Sequence, residues 1–508
     1  MKNILQYVAV ILFITSSCTA VRYSATDIDD GIIRINFVQV NDVYEIAPLA
    51  GGKEGGMARV ATIKKKYLAL NPNTFLLMAG DFVSPSVYNS LKYQGKSIRG
   101  KQMIEAMNAA GFDLAIFGNH EFDIKESELQ ERINESGFQW IASNTYHKQH
   151  GEVIPFVKNN ATGSNPFPVS LIKTITDADG TTARIGFIGL TLPFNKAAYV
   201  SYTDALASAK ILYNRLKDSV DAVVAITHQS MEEDEILARE IPGLAAIMGG
   251  HEHDQHFEKI GNVPITKAKA NAKSAFIVTL SVNKNKKKVK VLTRLETLDE
   301  NVVLDSACNA VVERWVNIAE NNYASLGFDA RKVVLNSGEP LDGRETSIRN
   351  GSTNLTKLIV NAVAEAIPTA AVVIMNAGSI RVDDIMQMPV TQYDIIRALP
   401  FGGSVKEVDM KGSLLTRILE QGSKNKGIGG YLHMNEAVSF NAANHVWNIK
   451  NEPVDTLRTY RIALPDFLLT GGESNLGFLT ATNSDIVKVL PDPVSDIRLA
   501  VIRYLEKK

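Results

Sequence analysis

The sequence predicts an α/β protein built as two abutting domains. Its length of 508 residues is too great for one ordinary core. From about residue 30 to 255, apolar runs of strand length alternate with amphipathic stretches of helix length, the pattern of strands buried on both faces and joined by helical crossovers. A second set of strand and helix patterns runs from about residue 330 onward, with no internal repeat and no long low-complexity linker before it.

The chain begins M-K-N-I-L-Q-Y-V-A-V-I-L-F-I-T-S-S-C-T-A, one lysine followed by an apolar stretch over residues 4–14 and then small residues. That stretch is too short for a permanent membrane anchor and predicts an export signal over residues 1–20. Cys18 follows Ser16 and Ser17, where a lipoprotein signal places its acylated cysteine, although Thr15 stands where leucine is usual; simple cleavage after Ala20 is the alternative. With Cys18 lipidated, Cys308 is left without a disulfide partner and is expected to be a buried small apolar residue.

The strand-like runs are I-I-R-I-N-F-V-Q-V, T-F-L-L-M-A, D-L-A-I-F, A-R-I-G-F-I-G-L, A-V-V-A-I and L-A-A-I-M. Between them M-A-R-V-A-T-I-K-K-K-Y, Q-M-I-E-A-M-N-A-A and A-L-A-S-A-K-I-L-Y-N-R-L have helical period. F-I-V-T-L-S-V-N-K-N-K-K-K-V-K-V-L-T-R predicts a hairpin around a solvated lysine turn at 284–288 that keeps a sheet edge soluble. A helix over residues 305–325 connects the halves, and the neighbourhood of Trp315 is the expected hinge. The predicted units are residues 28–300, a helical linker at 301–328, and residues 329–508.

Hydrophobic residues make up 45% and charged residues 21% of the chain, and the net charge is −1 with a pI near 6.8. No basic field gathers a nucleic acid polymer or an anionic membrane, so contact with a membrane would come only through a lipid on Cys18. A small anion must be held by local sites.

In α/β folds ligands bind beyond the carboxyl ends of the strands. The residues after the runs are Asn41-Asp42, Gly80-Asp81, Gly118-Asn119-His120-Glu121-Phe122-Asp123, Thr227-His228 and Gly249-Gly250-His251-Glu252-His253. Five strand ends thus deliver Asp, His and Asn to one rim, and four of the nine histidines fall there. Imidazole and carboxylate without thiolate suit Zn, Mn, Fe, Co or Ni. The set is too large for one ion and includes a carboxylate, Asp81, able to bridge, so two divalent ions are expected, an arrangement suited to phosphoester hydrolysis. Asp123 could orient His120, and it could equally cap the helix beginning K-E-S-E-L-Q.

The strings G-D, G-N-H-E-F-D, T-H and G-G-H-E-H, in this order, resemble the calcineurin-like metallophosphoesterases and in particular the 5'-nucleotidase family. The resemblance implies a four-layer α/β/β/α N-terminal domain and a smaller mixed α/β C-terminal domain that binds the nucleotide. It implies one metal on Asp42, Asp81 and His253, a second on Asp81, Asn119, His228 and His251, and a catalytic pair of His120 and Asp123. Tyr44 departs from the pattern, which has histidine there as a ligand of the first metal. A phenol binds well only after losing a proton of pKa near 10, so the first site is expected to be the weaker, completed by water or by Glu45.

In the second half N-A-G-S-I-R at 376–381 resembles the family's N-G-G-x-I-R, and L-D-G-R-E-T-S-I-R-N-G-S-T-N-L, L-P-F-G-G and L-P-D-F-L-L-T-G-G-E stand in family order. By position, Arg349 and Arg381 would meet phosphate, Asn376 the base, and Tyr431 and Phe478 would sandwich the base; Asp485 is a guess for the ribose. The implied activity is an exported bacterial phosphohydrolase releasing phosphate from nucleoside 5'-monophosphates or related nucleotides, with a metal-activated hydroxide as nucleophile. The alternatives are a nucleotide-sugar or 2',3'-cyclic nucleotide hydrolase, or a non-catalytic nucleotide-binding surface lipoprotein. In the resembled family the C-terminal domain turns to bring substrate to the ions.

Overall fold

A computed structural model describes residues 29–193, 197–491 and 493–508. The predicted export signal over residues 1–20, with Cys18, lies outside the described residues. The apolar runs of the first half become two six-stranded sheets. One has the order Lys288–Thr297, Ser274–Asn283, Ile32–Val40, Thr74–Ala79, Leu114–Ile116, Gln139–Ile141. The other runs Leu171–Thr176, Thr182–Thr191, Ala222–His228, Ala246–Gly250, Val263–Lys267, His256–Ile260. The central strands of each are parallel, so their carboxyl ends share one rim.

The sheets pack face to face through Ile33, Ile35, Phe37, Ile185, Phe187 and their neighbours, with the Phe37 and Phe187 rings edge to face at 5.7 Å. Helices Met57–Leu70, Lys101–Ala110, Glu126–Glu135 and Ser306–Ser325 cover the outer face of the first sheet, and Ala205–Leu216 and Met231–Glu240 cover the second. The layers are therefore helix, sheet, sheet, helix. At Gly189 a Cβ would stand 2.7 Å from Ile116 Cγ2, so only glycine permits the approach of the sheets near their carboxyl ends.

The lysine turn joins Ser274–Asn283 to Lys288–Thr297 as a hairpin, and Cys308 is buried. The connecting helix is not a free linker. Trp315 is fully buried, donates from Nε1 to Glu105 at 2.9 Å and meets the Tyr93 ring, so this segment belongs to the first domain's outer layer and cannot be a hinge there.

The second domain is a five-stranded sheet ordered Leu432–Met434, Val372–Asn376, Thr459–Pro465, Val405–Lys411, Ile486–Val489. Gly412–Lys424 packs on one face of this sheet, and Asn354–Ala366, Gln392–Ala398 and Ile497–Leu505 join the apolar cluster continuous with the first domain.

Candidate metal centre and catalytic dyad

The strand ends converge. Asp42, Asp81 and His228 are buried and offer ligand atoms within 4.8 Å of one another. Asp42, Asp81 and His251 have φ of 52°, 56° and 85°, the left-handed region that side-chain-bearing residues avoid. Such backbone persists only where the surroundings impose it, and three of the predicted ligands share it.

Each position is held by neighbours. Asn41 donates from Nδ2 to Asp42 Oδ2 at 2.8 Å and to the Ala268 carbonyl at 2.9 Å, and the His251 backbone N–H donates to Asp42 Oδ2 at 2.9 Å. The His120 N–H donates to Asp81 Oδ1 at 2.8 Å. The His228 Nδ1 lies 2.8 Å from the Ala79 carbonyl and donates to it, which turns Nε2 toward Asp81 Oδ2 at 3.1 Å. His253 Nδ1 is 2.8 Å from Asp383 Oδ2, a carboxylate of the second domain, and its Nε2 faces inward, 3.6 Å from Asp42 Oδ1.

These residues fit a cation. Both amide atoms of Asn119 are buried without a hydrogen-bond partner, a costly state that coordination relieves, and His228 Nε2 faces only the carboxylates of Asp81 and Asp42. The electrostatics agree. Burial works against protonation of His228 and His253, yet the facing carboxylates, Asp81 and Asp42 for the first and Asp383 and Asp42 for the second, raise them to about 9 and about 10. Burial and the charge on His228 hold His251 down near 4. The rim thus draws positive charge to itself.

Tyr44 stands in this cluster. Its hydroxyl is 3.3 Å from Asp42 Oδ1, 3.2 Å from Asp81 Oδ2 and 3.0 Å from His253 Nε2. Burial, then the charges of Asp81 and Asp42, raise its pKa well above 10. Glu45 does not complete the site. Its carboxylate turns away into the domain junction, where it accepts from the Tyr393 hydroxyl and faces Arg397, so this expectation is corrected.

His120 Nδ1 lies 2.6 Å from Asp123 Oδ2. Burial lowers the His120 pKa, but Asp81 and Asp123 outweigh it and the net shift is upward, with the positive charge of Arg381 bearing on the ring in opposition. Asp123 is not the helix cap; that position falls on Lys125, and Asp123 closes the short turn His120–Asp123.

Two supporting carboxylates escaped the sequence reading. Glu121 is buried and accepts the backbone N–H groups of Asp81, Phe82, Val83 and Gly118, tying the Gly80-Asp81 loop to the Gly118 loop. Glu252 accepts the Met231 N–H and pairs with the buried Lys267, which also binds Asp234 and the Gln229 carbonyl. Both stand within the strings themselves, but Glu121 accepts main-chain donors and the Lys267 partner of Glu252 lies on a separate strand, so nothing in the strings marks them.

In the second domain Arg349 and Arg381 converge on one carboxylate, Glu345, Arg381 at 3.5 Å. Asn376 is buried, donates from Nδ2 to Glu473 Oε2 at 2.5 Å and accepts from the Ser379 hydroxyl at 2.6 Å, so both ends of its amide are engaged. Tyr431 is half-buried, its ring edge-on to His433. Phe478 is half-buried with the Arg417 guanidinium 3.8 Å over its ring, and it packs on the second domain's core. Phe467, unnoticed in the sequence, leaves 44% of its surface exposed beside Gly472, next to the Glu473 that holds Asn376. Asp485 lies at the end of the sheet, bonded to Ser413 at 3.0 Å.

A metal-binding rim of this kind on a four-layer sandwich, with a histidine–carboxylate pair beside it, defines a metal-dependent phosphoric ester hydrolase of the calcineurin-like type. The sequence model of the calcineurin-like phosphoesterases matches residues 35–255, and that of the 5'-nucleotidase C-terminal domain matches residues 333–481. The chain belongs to the 5'-nucleotidase family. Bovine 5'-nucleotidase is 24% identical over 475 residues, covering 82% of this chain and 78% of that protein. Protein UshA of Escherichia coli is 25% identical over 513 residues, 91% of this chain and 89% of its own. The crystal structure of a 5'-nucleotidase precursor from Thermus thermophilus superposes with a TM-score of 0.65 at 21% identity, over 94% of this chain and 96% of that one. The calcineurin-like fold implies divalent metal ions.

Proposed function

We propose that the protein is an exported phosphohydrolase that releases phosphate from nucleoside 5'-monophosphates or closely related nucleotides. The observation that carries this reading is the meeting of orphaned metal-ligand atoms, the His120–Asp123 pair and the arginines of the second domain at one rim. Asp42, Asp81 and His253 would hold one ion and Asp81, Asn119, His228 and His251 a second, with Asp81 shared. Bound there, the ions would acidify a water and neutralise charge on the phosphoryl oxygens.

The chain's own residues supply the rest. Arg349 and Arg381 fit the phosphate, releasing Glu345 to do so. His120, whose pKa Asp81 and Asp123 raise against burial, would donate to the phosphoryl or leaving oxygen, and Asp123 fixes the ring through Nδ1. Tyr431, half-buried, would offer an aromatic face for a base on one side. On the other, Phe467 is better suited than Phe478, whose face Arg417 already covers. Export, with or without a lipid at Cys18, rests on the N-terminal sequence.

The test is metal content together with phosphate release from a panel of nucleotides, with and without added Mn or Zn. Hydrolysis of 5'-monophosphates that chelator abolishes is expected; nucleotide binding without release from any member would sink the enzyme reading. Asp123→Asn should lower kcat about tenfold to a hundredfold with little change in KM. Full activity in that variant would remove the pair from the mechanism and leave the metal rim standing.

A further inference from the structure

A cavity of about 400 Å³ lies in the joint between the two domains, and none of the rim residues lines it. Its size falls within the range of small-molecule sites, about 300–1,000 Å³, and such sites favour domain junctions. One wall belongs to the first domain, the loop at Pro48 and Leu49 together with Val316 and Ala319 on the helix Ser306–Ser325. The other belongs to the second, Ala330 and Arg331 where that domain starts and Tyr393 on the helix Gln392–Ala398. The chain crosses from one wall to the other between Ser325 and Ala330.

The lining is largely aliphatic and aromatic, so water there finds few polar partners and an apolar body is the favoured occupant. The charges around the cavity do not balance. Among the described residues that line it Arg331 is the one cation, and it meets two carboxylates, Glu320 at Oε1 and Glu313 at Oε2, the latter at 3.6 Å. Both carboxylates are part-exposed and within reach of a solute. Asp394 is matched separately by Arg397 at 3.1 Å, so one negative charge is left over on the helix wall. The rings of Tyr323 and Tyr393 stand edge to face at 6.4 Å and, with Tyr88, line the cavity with the electron-rich surface that attracts an ammonium group.

We propose that this joint is a binding site for an organic monocation, an ammonium group carried on a small aryl or alkyl body, and that its occupant clamps the second domain to the first. The ammonium group answers the charge that Arg331 leaves unmatched on Glu313 and Glu320, and the apolar body packs on Val316, Ala319 and Tyr323. A neutral solute of the same shape forgoes the ion pair, and an anion meets like charge. Because both domains supply walls, the site is complete only when they meet, and an occupant shifts the balance toward that arrangement by its preference for it.

The experiment titrates the full-length protein calorimetrically with phenethylammonium, phenethyl alcohol and phenylacetate, probes of one shape and three charges. One phenethylammonium per chain is expected, bound about tenfold more tightly than the alcohol, with no saturable heat from phenylacetate. Glu320→Gln leaves Arg331 to match Glu313 alone, so the advantage of the cation should vanish while the alcohol binds as before. Ala319→Trp, which fills the cavity, should bind none of the three; if that variant does not fold, Glu320→Gln decides alone. Equal affinity for cation and alcohol in the wild type, tighter binding of phenylacetate, or an undiminished preference for the cation in Glu320→Gln would overturn the site. The clamp is read by hydrogen exchange at Asp383 and Asp384, which touch His253 and Lys273 of the first domain outside the cavity. Exchange there should slow severalfold with phenethylammonium at saturation, and exchange unchanged with the cation bound would overturn the clamp.

Discussion

At Asp42, Asp81 and His251 the backbone takes the left-handed conformation that costs a side-chain-bearing residue energy, and it does so at three residues placed at the rim. At Asp81 it is held by Glu121, which collects four N–H groups from two loops, and at His251 by the backbone N–H that donates to Asp42. Glu121→Ala should leave those donors buried without acceptors and cost about 3 kcal/mol or more, read as a lower urea midpoint, with bound metal lost alongside. An unchanged midpoint would mean that water or a rearranged loop satisfies them. The candidate ligands stand out because Asp, Asn and His at successive strand ends are few; Glu121 lay in the same string and was silent, since its partners are backbone. Phe478 and Phe467 look alike in sequence, and only the Arg417 guanidinium over one ring and the exposure of the other separate them. Phe467→Ala should therefore raise KM for a nucleotide about tenfold with kcat nearly kept, whereas Phe478→Ala should lower the unfolding midpoint and leave KM alone. The reverse outcome would restore Phe478 to the base.

At the scale of elements, the six strand runs and three helices read from the first half fall within a few residues of those observed, from Ile32–Val40 to Ala205–Leu216. Their division between two sheets was not in the pattern itself. Strands buried on both faces read as uniform apolar runs whichever sheet they join, and the interlocking of Phe37 with Phe187 leaves no mark on either run. Loops that meet helices of the other domain were equally silent, and Glu45 is the instance with a measurable consequence. It sits against Gln392–Ala398, and burial raises its pKa from 4.5 to about 7 despite Arg397 and the Tyr393 hydroxyl. The folded chain then binds this proton more tightly than the unfolded chain does, so its contribution to stability is full below about 4.5 and is lost as pH rises to about 7. The loss is on the order of 3 kcal/mol. Glu45→Gln removes that slope, and urea midpoints at pH 5 and pH 8 should differ less in the variant than in the wild type. Equal differences in the two proteins would place the titration elsewhere.

On the proposed function the second domain's arginines must reach the first domain's rim, and the contacts between the domains join residues far apart in sequence. Asp383 meets His253, Asp384 pairs with Lys273, and Tyr393 donates to Glu45, while the Arg381 charge bears on His120. No periodicity or motif marks such pairs, so the sequence supplied two abutting domains and a helix between them but not what holds them together. That helix is docked on the first domain through Trp315 and Tyr323, so any turning of the second domain must begin after Ser325. Asp384 is the contact that can be removed without touching the rim, since Lys273 keeps Glu54 at 3.4 Å as a second partner. A part-exposed pair of this kind is worth about 1 kcal/mol, enough to shift a balance between closed and turned arrangements severalfold. Asp384→Ala should accordingly enlarge the radius of gyration measured by small-angle scattering without nucleotide, leave metal content unchanged, and raise KM more than it lowers kcat. A scattering profile identical to the wild type would mean that the shared apolar core alone holds the domains in this arrangement.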